Sequence, residues 1–141
     1  MKNKILALDI GSKNTGIAIS DRTQSIAFSY TTVKTLELKN QLELIIEKEK
    51  IQKIVIGKNL YQSKNFQVED YVNKYIPQNI EYTYYNEDFS TEKAKQIAKL
   101  KGLTDKEFKE KKDEIAATVI LQEYIDEMVA REGIEPSTSG L

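Results

Sequence analysis

Two apolar runs separated by a polar, glycine-bearing turn open the chain: Ile5-Leu6-Ala7-Leu8, then Asp9-Ile10-Gly11-Ser12-Lys13-Asn14-Thr15-Gly16, then Ile17-Ala18-Ile19-Ser20. The pattern predicts two strands joined by a tight reversal. Asp21-Arg22-Thr23-Gln24 is a polar turn, and the β-branched and aromatic run Ser25 to Val33 predicts a third strand, completing an antiparallel meander. The period then changes. Leu38, Leu42, Ile45, Ile46 and Glu49 follow helical spacing with apolar residues on one face. Lys53-Ile54-Val55-Ile56-Gly57 has the continuous apolar character of a strand buried on both faces, followed by a loop over 58–63. Val68, Tyr71, Val72 and Tyr75 mark a second helix ended by Pro77, and Ile80 to Tyr85 a fifth strand.

The remainder is helical. Asn86-Glu87-Asp88-Phe89 leaves the fifth strand, Ser90 is a suitable N-cap for a helix to about Leu100, and Gly102 stops it. Thr104-Asp105-Lys106-Glu107 is a capping-box pattern for a short charged helix. A last helix runs from about Asp113 to Arg131, with Ala116, Ala117, Ile120, Leu121, Tyr124, Ile125 and Met128 forming its apolar face. Three antiparallel strands followed by alternating helix and strand make an α/β domain with a mixed five-stranded sheet, the last two strands parallel and the helices flanking. Residues 1–131 read as one domain. Residues 132–141 lack periodicity and are expected to be a disordered tail.

Composition narrows the chemistry by what it omits. The 141 residues contain no cysteine and no histidine. Thiolate and imidazole metal sites, disulfides, cysteine nucleophiles and Ser-His-Asp triads are therefore excluded. Catalysis would rest on carboxylates, lysines, hydroxyls and a bound metal, and such a donor set favours hard cations such as Mg²⁺ or Mn²⁺. No run is long and apolar enough to span a membrane, and the start of the chain has no signal-peptide pattern, so the cytoplasm is the expected compartment. The net charge is −1, but it is unevenly spread. Phe89 to Lys112 carries eight lysines against four acids, whereas Asp113 to Glu132 carries six acids against one arginine. A basic segment beside an acidic one suits a phosphate-binding surface next to a metal site, and equally suits a solvated lysine-rich helix.

Three carboxylate positions lie where elements can converge. Asp9 sits within the first apolar run, where a lone charge is unfavourable unless it is compensated. Glu87 falls just past the expected end of the fifth strand, where ligands of open α/β sheets gather. Asp113 opens the last helix on the face of residues 117, 120 and 124, with Glu114 as the competing position. Carboxylates gathered at one point repel unless cations neutralise them. Two divalent ions ~4 Å apart would do so and would activate water for in-line attack on a phosphodiester. Taken singly, a turn for Asp9, an N-cap for Asp113 and a solvated loop for Glu87 are the simpler readings.

Four motifs in order resemble the YqgF-type proteins of the ribonuclease-H-like superfamily, Holliday-junction-resolvase-like proteins also described as pre-16S rRNA nucleases. Leu8-Asp9-Ile10-Gly11-Ser12-Lys13-Asn14-Thr15-Gly16-Ile17-Ala18 is similar to the family's Asp-x-Gly-[Ser/Thr]-Lys-Arg-x-Gly motif. Ile54-Val55-Ile56-Gly57 stands at its Val-Gly-x-Pro strand end. Asn86-Glu87-Asp88-Phe89-Ser90-Thr91 resembles its Asp-Glu-Arg-x-[Ser/Thr]-[Ser/Thr] motif, and Asp113-Glu114-Ile115-Ala116-Ala117-Thr118-Val119-Ile120-Leu121-Gln122 its C-terminal Asp-x-x-Ala-Ala-x-x-Ile-Leu-Gln helix. The resemblance covers about residues 4 to 128. It implies a ribonuclease-H-like fold and a divalent-metal-dependent nuclease acting on pre-rRNA, or alternatively on branched DNA. It further implies Asp9, Glu87 and Asp113 as the metal-binding catalytic acids, selecting Asp113 over Glu114. Lys13, Lys58, Lys64, Lys111 and Lys112 are the expected contacts to the nucleic-acid backbone. A monomer or weak homodimer is expected. Asn14, Asn59, Asn86 and Asp88 stand where the family has Arg, Pro, Asp and Arg. Two bidentate phosphate forks are thereby absent, which weakens the expected grip on substrate and leaves a non-catalytic RNA-binding assembly module as a further reading.

Overall fold

The structure, a computed structural model, describes residues 3–59, 67–87 and 91–132. Five strands form one sheet: β1 (Lys4–Ile10), β2 (Asn14–Ser20), β3 (Ala27–Lys34), β4 (Ile51–Asn59) and β5 (Glu81–Glu87). Their order is β3-β2-β1-β4-β5. β1–β2 and β2–β3 pair antiparallel, and β1–β4 and β4–β5 pair parallel. The expected α/β architecture, with three antiparallel strands and then two parallel ones, is what the chain forms. A 3₁₀ turn over Thr35–Glu37 leads into α1 (Leu38–Glu49). α2 (Val68–Tyr75), α3 (Thr91–Leu100) and α4 (Asp105–Glu132) complete the fold.

The period-2 alternation of β1 divides the interior into two cores. Leu6, Leu8 and Ile10 pack with Leu38, Leu42 and Ile45 of α1 and with Val68, Val72 and Tyr75 of α2. Ile5 and Ala7 face the other way, into a core with Ala117, Ile120, Leu121 and Ile125 of α4. Asp9 continues the odd-numbered row, so the strand itself aims its carboxylate at α4.

The helical half differs from the sequence expectation. Residues 105–132 form one helix, not a short charged helix followed by another. The capping box is present at its start: the Thr104 amide donates to Glu107 Oε1 (2.9 Å) and the Glu107 amide to Thr104 Oγ1 (3.1 Å). The first two turns lack an apolar face, yet they propagate from the packed half once that half is nucleated. Asp113 is consequently a helix-interior residue and not an N-cap. Gly102 does end α3, at φ +70°, with Leu103 N donating to Ala98 O (2.9 Å) and Gly102 N to Lys99 O (3.1 Å), a Schellman pair. β4 and β5 are longer than their apolar runs suggest: Lys58 and Asn59 belong to β4 rather than to a loop, and Asn86 and Glu87 close β5 rather than leave it. The Ser90 cap, the loop over 60–63 and the tail at 133–141 lie outside the described residues.

Candidate nuclease site

The reversal after Asp9 is narrow and tied down. Gly11 N donates to Asn14 O (2.9 Å), closing the turn that brings Gly16 into register with Asp9. Thr35, buried beneath the turn, donates its hydroxyl to Gly11 O (2.7 Å) and its amide to Lys13 O (2.8 Å). A hydroxyl has one proton, so the 2.9 Å contact between the Thr15 and Thr35 hydroxyls must have Thr15 as donor. Every one of these partners is backbone or buried, so the end of β1 has little freedom.

α4 approaches the hairpin through the absence of a side chain. A Cβ on Gly16 would collide with the Asp113 carbonyl and lie 2.6 Å from Glu114 N. The helix backbone therefore rests directly on the residue that pairs with Asp9, which carries Asp113 into the neighbourhood of the Asp9 carboxylate. A ladder of polar contacts fixes the helix azimuth. Thr32 donates to Glu114 Oε2 (3.1 Å), and Gln122 receives Ala27 N on Oε1 (2.9 Å) while donating to Ser25 O (3.1 Å). Thr118 donates to Glu114 O (2.7 Å), so Ser29 is the donor in the 2.7 Å contact between their hydroxyls. Residues 114, 118 and 122 thus face β3, and Glu114 is occupied there by Thr32. Gly57 repeats the close approach on β4, where a Cβ would strike the Ile120 side chain.

The electrostatics follow from this packing. Burial, reinforced by the charge of Asp113, raises the Asp9 carboxyl from 3.8 to about 6. Asp113 is itself raised, by desolvation, against the opposing pull of Lys112. Two carboxylates that each resist ionisation, one partly because of the other, form a pair that a cation would relieve. Their all-oxygen donor set fits a hard divalent ion.

The other expected residues are distributed as follows. The Glu87 backbone pairs with Asn59 at the end of β5, two residues beyond Tyr85, whose ring meets Tyr124 of α4 edge-on. Its side chain lies outside the described residues. No group of three or more acidic residues gathers at one point among the described residues. Lys13 is exposed on the hairpin turn, and Lys111 and Lys112 are exposed on α4. Lys58 is engaged within the protein, bonded to Glu69 at 2.6 Å and lying 5.8 Å from the Tyr84 ring centroid. Lys64 and Asp88 lie outside the described residues. Gly16 and Thr35 contribute to the site without having been singled out for it. Antiparallel pairing across the hairpin could have flagged Gly16, but nothing local marks Thr35.

A mixed sheet of this order flanked by helices is a ribonuclease-H-like fold. The fold is shared with fowlpox virus resolvase, solved in complex with Holliday junction DNA (TM-score 0.58, 16% identity, 89% of this chain and 99% of that one). It is also shared with Thermus thermophilus RuvC, likewise solved with a Holliday junction substrate (TM-score 0.52, 10% identity, 93% and 96%). Residues 3–127 match the family model described as "RuvX: Holliday junction resolvase". Two relatives carry the name "Putative pre-16S rRNA nuclease". The one from Phocaeicola vulgatus is 37% identical, over 88% of this chain and 96% of the relative. The one from Malacoplasma penetrans is 34% identical, over 89% and 95%. The chain belongs to the RuvX, or YqgF-type, nuclease family.

Proposed function

We propose that the protein is a divalent-cation-dependent nuclease that hydrolyses phosphodiester bonds in structured RNA during 5′-end processing of pre-16S rRNA. In this reading Asp9, Glu87 and Asp113 hold Mg²⁺ or Mn²⁺. The observation that carries it is the Asp9–Asp113 pair: a carboxyl at about 6 on a rigid strand end, beside a second carboxylate delivered by α4. When bound, the cation supplies charge neutralisation at the phosphodiester and a water of lowered pKa. The chain's own contribution is placement. Thr35 and the Gly11 turn hold Asp9, Gly16 seats α4, and the polar ladder to β3 sets the rotation that turns Asp113 toward β1 and Glu114 away. Exposed Lys13, Lys111 and Lys112 hold the phosphate backbone, Lys58 being paired with Glu69 and Lys64 adding a further cation.

The name shared by the curated relatives favours RNA, whereas the description of the matching family favours a four-way DNA junction. Incubation of the protein with Mn²⁺ and either a pre-16S leader RNA or a four-way DNA junction separates the two. Cleavage of the leader alone is expected. Cleavage of the junction alone would move the substrate to DNA, and binding of rRNA without cleavage of either would make the protein an assembly module.

A further inference from the structure

Residues 105–112 extend α4 by two turns beyond the half that packs on the sheet, and Phe108 is the only one of them that is not exposed. α3 lies beside this extension. The Lys93 Nζ–Glu123 Oε2 ion pair (2.9 Å) ties the start of α3 to the packed half of α4, and the turn at Gly102 leads from its other end into α4. The resulting helical hairpin buries little and is strongly charged. Residues 93–112 hold eight lysines and three acids, a balance of +5 in a chain whose net charge is −1. We propose that this hairpin clamps the phosphate backbone of a double-stranded nucleic-acid segment next to the scissile phosphate. The proposal rests on the nuclease reading above and extends it to the form of the substrate, a base-paired stem.

The charges of the hairpin are open to a partner. Lys4, Lys53, Lys58 and Lys93 are ion-paired within the protein, to Glu49, Glu81, Glu69 and Glu123. Lys95, Lys99, Lys106 and Lys109 are exposed, and none of them forms an ion pair among the described residues. Of the three acids, Glu107 is occupied at the helix start by the Thr104 amide (2.9 Å). Lys95 and Lys99 line the α3 wall of the cleft between the two helices, across from Asp105 and Phe108. Lys109 and Lys112 stand one and two turns beyond Asp105 on the same face of α4. Lys112 adjoins Asp113, and its charge acts on that carboxyl. Eight residues at 1.5 Å each separate Asp105 from Asp113, so the lysines mark a path of about 12 Å that ends at the acidic pair.

The side chains on this path select the form of nucleic acid. Proteins hold single strands largely by stacking bases on aromatic rings, whereas a duplex hides its base faces and presents phosphates and shape. Phe108 is the one aromatic residue between positions 93 and 112, and it is half-buried in the cleft. Lysine is a compact charge on a flexible stem, able to follow phosphates without the fixed geometry of an arginine fork. The hairpin thus offers charge to a backbone and no aromatic platform to bases.

The test is equilibrium binding by the full chain carrying Asp9→Asn, followed by fluorescence anisotropy. The probes are RNA and DNA duplexes of about 16 base pairs and the single strands that compose them. Duplexes are expected to bind at least about fivefold more tightly than their single strands. Adding Lys95→Gln with Lys99→Gln, or Lys106→Gln with Lys109→Gln, should weaken duplex binding about tenfold and reduce the slope of log K against log salt by up to about 1.8. Lys39→Gln with Lys48→Gln removes the same charge from exposed positions of α1, on the other face of the sheet, and should change binding by less than about twofold. Far-ultraviolet circular dichroism checks each fold. The tighter of the two duplexes identifies the nucleic acid that supplies the stem. Losses no greater for the hairpin pairs than for the α1 pair, or single strands bound as tightly as duplexes, overturn the clamp and leave the nuclease reading standing. The nuclease reading fails separately, if the native chain with Mn²⁺ cleaves no nucleic acid while the lysine-dependent duplex binding persists.

Discussion

Replacing Asp9 by Asn removes a charge that the fold is poorly built to hold without a cation, and should stabilise the metal-free protein at neutral pH. The native carboxyl keeps its proton up to about pH 6, whereas in the unfolded chain it loses it near 3.8. Between these values the native state binds more protons than the unfolded state, so the stability from this group falls as pH rises. Below pH 3.8 the group is neutral in both states and contributes nothing. Above pH 6 the full penalty is present, and a rise from 3.8 to about 6 corresponds to about 3 kcal/mol. Asn keeps the size and loses the ionisation. Urea unfolding in chelator should therefore show Asp9→Asn more stable than the parent by up to about 3 kcal/mol at pH 7.5, the difference closing at pH 4. Excess Mg²⁺ should stabilise the parent and not the variant, reversing the order. A variant no more stable than the parent at pH 7.5 in chelator would refute the reasoning, because the buried charge would then have a compensation inside the protein.

Three further outcomes follow from the packing around the site. Gly16→Ala should destabilise by about 3 kcal/mol in urea unfolding, since its methyl meets α4 backbone that cannot rotate away. Thr35→Val leaves the Gly11 carbonyl and the Thr15 hydroxyl without their partner; a loss of about 2 kcal/mol is expected, with faster amide exchange at Gly11 and Asn14. Glu49, held below the usual glutamate value by Lys4 Nζ (2.9 Å) and the Tyr30 hydroxyl (3.1 Å), contributes stability above pH 4.5 that is lost as pH falls through its lowered native value. Glu49→Gln should accordingly lower stability by about 1 kcal/mol at pH 7 and by progressively less toward pH 3, read from denaturation midpoints.

The strands were legible because their signals are local. Leu6, Leu8 and Ile10 alternate with Ile5, Ala7 and Asp9, and in the folded chain that alternation puts Asp9 on the α4 face, whereas the sequence pattern places Asp9 only within the first apolar run. The continuity of α4 was not legible, because residues 105–112 have no apolar stripe and their helicity derives from the packed turns after Asp113. The extra residues of β4 and β5 were hidden for a related reason: Lys58, Asn59, Asn86 and Glu87 are polar, and the neighbouring strand extends them. Nor could spacing reveal that Lys58 bonds to Glu69, since 11 residues separate them and β4 and α2 meet only in the folded chain. Helix phase left Asp113 and Glu114 close rivals; it took Gly16 and the Thr32 hydroxyl to orient them differently. The family resemblance supplied roles that none of these patterns contains.

The central claim is that Asp9 belongs to a metal-dependent hydrolytic centre. It is tested most directly by nuclease activity of the parent and of Asp9→Asn on a pre-16S leader RNA, each with Mn²⁺ and with chelator. Cleavage by the parent with Mn²⁺ alone, reduced at least a hundredfold in Asp9→Asn, is the expected result. Equal cleavage by the two proteins, or cleavage by the parent undiminished in chelator, would contradict it.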